Sequence, residues 1–209
     1  MRQTPLDLHP ETATSGVRAA RIFSNVFSPP SLFALFAFVV ALLDSPTWQG
    51  FLGGVVYGVL ASLAPLLVIV WMLRTGRIAD LHVSNTKDRR IPYLVGTVGA
   101  VLAFLVVRSW GTLPLLTSFI LVNIISMIVL NILNQYWLVS AHVSGITALM
   151  LFFGFAYGFW AGLAFFPFVL LTIYVRLYLK RHTTNEIFGG LALGTASVLP
   201  VILLGVRTF

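Results

Sequence analysis

The chain has 209 residues, of which 58% are hydrophobic and 9% charged, with a mean hydropathy of +0.96; that is too apolar for a soluble domain of this size and indicates an integral membrane protein. Its net charge of +7, from 13 basic and 6 acidic residues, belongs to loops beside apolar runs, so it argues for a membrane surface, and no nucleic-acid-binding motif accompanies it. Without cysteine, disulfides and thiolate metal sites are excluded.

Residues 1–16 are polar, contain Pro5 and Pro10, and read as a mobile or surface-lying tail without a cleaved signal peptide. Residues 17–27 set Val17, Ala20, Ile22, Phe23, Val26 and Phe27 against Arg18 and Arg21, the pattern of a short interfacial helix, which Ser28-Pro29-Pro30 stops. Apolar runs then follow over 31–43, 51–73, 92–107, 113–133, 143–160, 163–179 and 187–206. The first is short for a span, and the others reach membrane length at ~1.5 Å per residue. Gly53, Gly54 and Gly58 in the second permit close helix contact. Asn123, Ser126, Asn131 and Asn134 suggest that the fourth turns a polar face inward. With no repeat and no linker, the expectation is an all-α, polytopic bundle of six to seven transmembrane helices, a single domain over 17–209 behind the tail.

Successive spans alternate sides, so the loops 74–91, 135–142 and 180–186 emerge on one face and the turns near 44–50, 109–112 and 161–162 on the other. Eleven of the thirteen basic residues fall on the first face, and Arg108 and Arg207 on the second. The positive-inside rule then puts the amino terminus and the long loops in the cytoplasm of a bacterial-type inner or plasma membrane.

Chemistry concentrates on the same loops. His82, His142 and His182 lie on them or at their edges, with Arg89, Arg90 and Arg176 nearby. His182 and Glu186 are four apart, so on a helix the carboxylate can hold the imidazole. A fixed cation such as Arg176 beside a carboxylate-oriented histidine suits phosphate chemistry. The plainer interpretation is a basic interfacial collar containing a chance histidine. The aromatic run 151–168 reads as lipid-facing and packing surface, Tyr136-Trp137 as an interfacial anchor, and Gly189 and Gly190 as permitting close packing near the site.

Three stretches carry a family pattern: Val175-Arg176, five residues, His182, three residues, Glu186; then Val139-Ser140-Ala141-His142; and, more loosely, the segment from His82 through Arg89, Arg90 and Pro92, with Lys87 out of register. They resemble the motifs SR-x5-H-x3-D, PSGH and K-x6-RP of the type 2 phosphatidic acid phosphatase and vanadium haloperoxidase superfamily, in its integral membrane lipid phosphatase branch. The resemblance spans about residues 74–200. Here Val175 replaces the motif serine, Glu186 the aspartate, His82 the lysine and Arg90 the proline.

The resemblance implies a lipid-phosphatase-like core and hydrolysis of a lipid phosphomonoester or polyprenyl (di)phosphate through a phosphohistidine, at the cytoplasmic face. His182 would be the nucleophile, Glu186 its orienting acid and His142 the general acid and base. Arg176, Arg89 and Ser140 would bind phosphate, with Arg90, Lys87 and His82 as further candidates. It implies no metal and no cofactor; the partners are a lipid phosphate and membrane lipids, no nucleic acid, with a homo-oligomer or a membrane-complex partner left open. The altered first motif leaves a second expectation, a catalytically degenerate relative serving as a structural or lipid-binding subunit. A magnesium-dependent prenyltransferase would need two aspartate-rich loops, which the sequence does not supply, and a transporter would need more ionisable groups within its spans.

Overall fold

The computed structural model describes residues 4–7, 14–78 and 87–205, with only the backbone of Lys87. Among them there are helices and no strand. They run in chain order as α1 (Ser15–Val26), α2 (Pro29–Asp44), α3 (Trp48–Arg74), α4 (Arg90–Trp110), α5 (Pro114–Leu133), α6 (Ala141–Tyr157), α7 (Phe159–Tyr178) and α8 (Thr184–Leu203). Five of these, α3, α4, α5, α7 and α8, are long and apolar enough to cross a membrane, and a sixth span results if the pair α1 and α2, bent by 46°, counts as one. The apolar α2 and α6 have 16 and 17 residues, about 24–26 Å of helix, just under a ~30 Å hydrocarbon core. Leu66, Leu67, Leu94, Leu102, Leu105 and Phe155 are exposed on the outside of the bundle, an apolar surface that belongs in lipid. This is a membrane protein.

Prolines and glycines place the breaks. Pro29 and Pro30 open α2, where a missing N–H costs nothing, and α1 ends three residues before them at Val26. Before Pro65, which has no N–H to continue the ladder, α3 widens into a π-helical turn over Gly58–Leu63, and the Ala64 N–H reaches back to the Val59 carbonyl. Gly99 of α4 faces this turn so closely that a Cβ there would lie 1.9 Å from the Leu60 carbonyl oxygen. Gly111, at φ +69°, ends α4 in the left-handed conformation.

The bundle has two unlike ends. At one, the Asp44 carboxylate accepts from the Leu116 N–H at 3.1 Å and so caps α5 from another helix. Above it lies the core, with Phe33, Tyr57, Phe119 and Phe152 in contact through ring centroids 5.2–6.2 Å apart. Of the four polar residues expected to face inward, Asn123, Ser126 and Asn134 are buried and Asn131 is half-buried. At the opposite end the starts of α2, α4, α6 and α8 meet the ends of α1, α3, α5 and α7. Gly190 and Gly194 bring α8 against α6, where a Cβ would meet the Ser140 and Ser144 carbonyls at 2.8 and 2.5 Å.

The amino-terminal segment is docked there too. The Leu6 N–H donates to the Leu179 carbonyl at 3.1 Å, and Asp7 pairs with Arg181 at 2.8 Å, both buried. Where the sequence suggested a loose tail, residues 4–7 form a strap. Nor is α1 a helix resting on lipid alone: Val17 and Ala20 pack against Val175 and Leu179 of the α7 end.

Candidate functional site

Thr183-Thr-Asn-Glu186 starts α8 with a capping box. Thr183 Oγ accepts from the Glu186 N–H at 3.4 Å, and the Glu186 carboxylate accepts from the Thr183 N–H at 3.1 Å. The same carboxylate oxygen, Oε2, lies 2.9 Å from His182 Nδ1. A carboxylate accepts, so the proton is on Nδ1 and the lone pair on Nε2. Glu186 thus fixes both the helix start and the histidine tautomer. Burial pushes the His182 pKa down to about 4; the Glu186 hydrogen bond opposes this, and Arg176 and Arg89 add to it. At neutral pH the imidazole is uncharged.

Arg176, in the last turn of α7, is 3% exposed. Its Nη1 donates to Ser24 Oγ at 2.8 Å, while its Nε has no hydrogen-bond partner among the described residues. Among those residues no carboxylate lies within ion-pair distance of it either. His142, in the first turn of α6, places Nε2 at 3.1 Å from the Ser24 carbonyl and 3.4 Å from its hydroxyl.

A cavity of about 170 Å³ opens at this end of the bundle, and Arg89, His142, Arg176 and His182 all line it. Tyr93, one helical turn after Arg89, and Ser28 add polar groups, and Pro29, Pro65, Leu66, Ile69, Met127 and Leu130 form apolar walls. The first N–H groups of α6 also lie here, since Ala141 and His142 line the cavity and Ser140 makes no side-chain cap. The chamber suits a group that is anionic at one end and apolar at the other.

Not every residue singled out from the sequence reaches it. Ser140 is fully buried at the α6 N-cap, but it does not line the cavity: its side chain packs beside Gly190, its hydroxyl has no partner among the described residues, and its N–H donates to the Glu186 carbonyl at 3.1 Å. It joins α6 to α8. Arg90 is exposed and off the cavity, because one residue beyond Arg89 turns about 100° around the helix. His82 and the Lys87 side chain lie outside the described residues.

Ser24, Tyr93 and the Asp7–Arg181 pair were not anticipated. For Ser24 a signal existed, since residues 17, 20 and 24 share one helical face with two apolar members. For Asp7 and Arg181, 174 residues apart, there was none. Comparison with known proteins finds no match, whether to a family model, a curated protein or a solved structure.

Proposed function

We propose that this chain is a membrane lipid phosphatase, hydrolysing a lipid phosphomonoester or polyprenyl (di)phosphate through a phosphohistidine at His182. One observation carries this reading: Arg89, Arg176, His142 and a buried, neutral His182 border one cavity whose other walls are mostly apolar. These residues are the ones whose spacing resembles the lipid phosphatase motifs.

In the reaction His182 Nε2 attacks phosphorus and the bond from phosphorus to the lipid oxygen breaks. Protonated His142 gives its proton to that oxygen. The Nδ1–H to Glu186 hydrogen bond steadies the ring as it gains charge. Arg176 and Arg89 hold the non-bridging oxygens, where guanidinium geometry fits. Water then attacks the phosphohistidine, His142 takes up its proton, and phosphate leaves with His182 again neutral. The excess of basic residues on the loops of this end supports a cytoplasmic site.

The test is phosphate release by purified protein from a panel of phosphatidate, phosphatidylglycerophosphate and polyprenyl phosphates. Wild type should turn over at least one member and His182→Ala should lose about three orders of magnitude or more. Equal rates for the two proteins defeat the proposal. A non-catalytic, lipid-binding subunit is favoured by one feature, the absence of Ser140 and Arg90, two of the motif-like positions, from the cavity lining. It would show as stoichiometric co-purification with a membrane complex and no release from any phosphomonoester.

A further inference from the structure

We propose that Ser24 is a positioning residue of the anion site, so that α1 belongs to the site's machinery. This rests on the proposed phosphate site and adds a component that none of the motif-like stretches contains. Ser24 is 1% exposed, on the inner face of α1, and stands 118 residues from His142 and 152 from Arg176. It nevertheless contacts both.

The two contacts have different origins. Its carbonyl is an orphan of the α1 terminus. The Phe27 N–H goes to Phe23 and the Ser28 N–H to Asn25, and Pro29 ends the helix. Nothing in α1 therefore uses the Ser24 oxygen, and His142 Nε2 takes it at 3.1 Å. Because a carbonyl only accepts, Nε2 keeps a proton, and Nδ1 becomes the atom through which the ring gains or gives one. The hydroxyl does the second task. By accepting from Nη1 of Arg176 at 2.8 Å, it pins one end of the guanidinium fork and leaves the opposite edge, Nε and Nη2, for a ligand.

That edge is what an anion needs. The Nε–H is buried and has no partner among the described residues, in an arginine that lines the cavity, and a Nε/Nη2 edge takes two oxygens of a phosphate together. Without the Ser24 hydroxyl the long arginine side chain would swing among rotamers and present that edge only part of the time. The strap beneath keeps α1 in place: Asp7 on Arg181, Leu6 on the Leu179 carbonyl, and Val17 and Ala20 against Val175 and Leu179.

Inorganic phosphate is the probe, titrated calorimetrically into the full chain in lipid nanodiscs, for wild type, Ser24→Ala and Ser24→Thr. The melting temperature of each protein without phosphate is measured alongside. Ser24→Ala should bind about tenfold more weakly at an unchanged melting temperature, from loss of one hydrogen bond to a charged group. Ser24→Thr, which keeps the hydroxyl, should bind closer to wild type. Equal binding by Ser24→Ala overturns the proposal, and tighter binding overturns it in favour of Ser24 as a competitor for the phosphate. If wild type itself binds no phosphate, the phosphate-site reading falls first, and the positioning role falls with it.

Discussion

Acid should destabilise this protein through His182 by an amount that its surroundings set. Folded, the group has its pKa pushed down to about 4, chiefly by burial, against an ordinary 6.5. The unfolded chain therefore takes up a proton that the folded chain refuses, and this happens between pH 6.5 and 4. Stability from this group is complete above pH 6.5, declines as the pH falls, and is gone below 4. A displacement from 6.5 to about 4, at ~1.4 kcal/mol per pH unit, gives roughly 3 kcal/mol in all, and between pH 7.5 and 4.5 roughly 2–3 kcal/mol. Other groups titrate over the same range, so the comparison is with His182→Asn, whose amide N–H still reaches toward Glu186 and does not ionise. Thermal unfolding in detergent at pH 7.5, 5.5 and 4.5 reads the difference. Wild type should lose about 5 °C or more beyond what the variant loses over that span. Parallel curves for the two proteins would show that the imidazole is solvated, and the argument for a buried neutral nucleophile would go with it.

Two further outcomes concern the frame around the site. Gly194→Ala puts a Cβ 2.5 Å from the Ser144 carbonyl and 2.8 Å from Thr147 Cβ, forcing α8 off α6; a loss of about 1–3 kcal/mol in detergent unfolding is expected, and an unchanged melting temperature would mean that the two helices are not packed this closely. Breaking the buried Asp7–Arg181 pair by Asp7→Asn alone should cost about 3–5 kcal/mol, and replacing both partners with neutral side chains markedly less. A double-mutant cycle checks this, and additive losses would remove the strap from the account.

What the sequence reveals divides along physical lines. Long apolar runs and polar junctions are properties of contiguous residues, and every run anticipated between 31 and 206 contains a helix at its core. His182 and Glu186 were legible for the same reason: they are one helical turn apart, and the capping box that joins them is a local contact. Their convergence with His142, Arg176 and Arg89 followed from counting spans, because alternation alone sends those loops to one end. Beyond that, spacing fails. Ser140 and Arg90 matched motif positions, yet one faces α8 and the other the outside, since a side chain's direction depends on the turn of its own helix and on its neighbours. The docking of Asp7 on Arg181 and of Ser24 on Arg176 depends on how α1 returns over α7, and no local pattern encodes that.

The charge balance at this end of the bundle supports the same conclusion from another direction. Removing a guanidinium from water is costly unless a partner replaces the lost solvation. Arg181 has such a partner in Asp7. Arg176, equally buried, has a neutral hydroxyl on Nη1 and, among the described residues, neither a partner for its Nε–H nor a carboxylate within ion-pair distance. The nearby acid Glu186 is committed to His182 and Thr183, and Arg89 borders the same cavity with a second positive charge. Cationic groups so placed suit an anionic ligand. A phosphate carried in on an apolar chain would bring its negative charge beside these cations, while its tail met the proline and leucine walls. Binding would then stabilise the fold in proportion to that affinity, while burial first, and these cations second, keep His182 unprotonated.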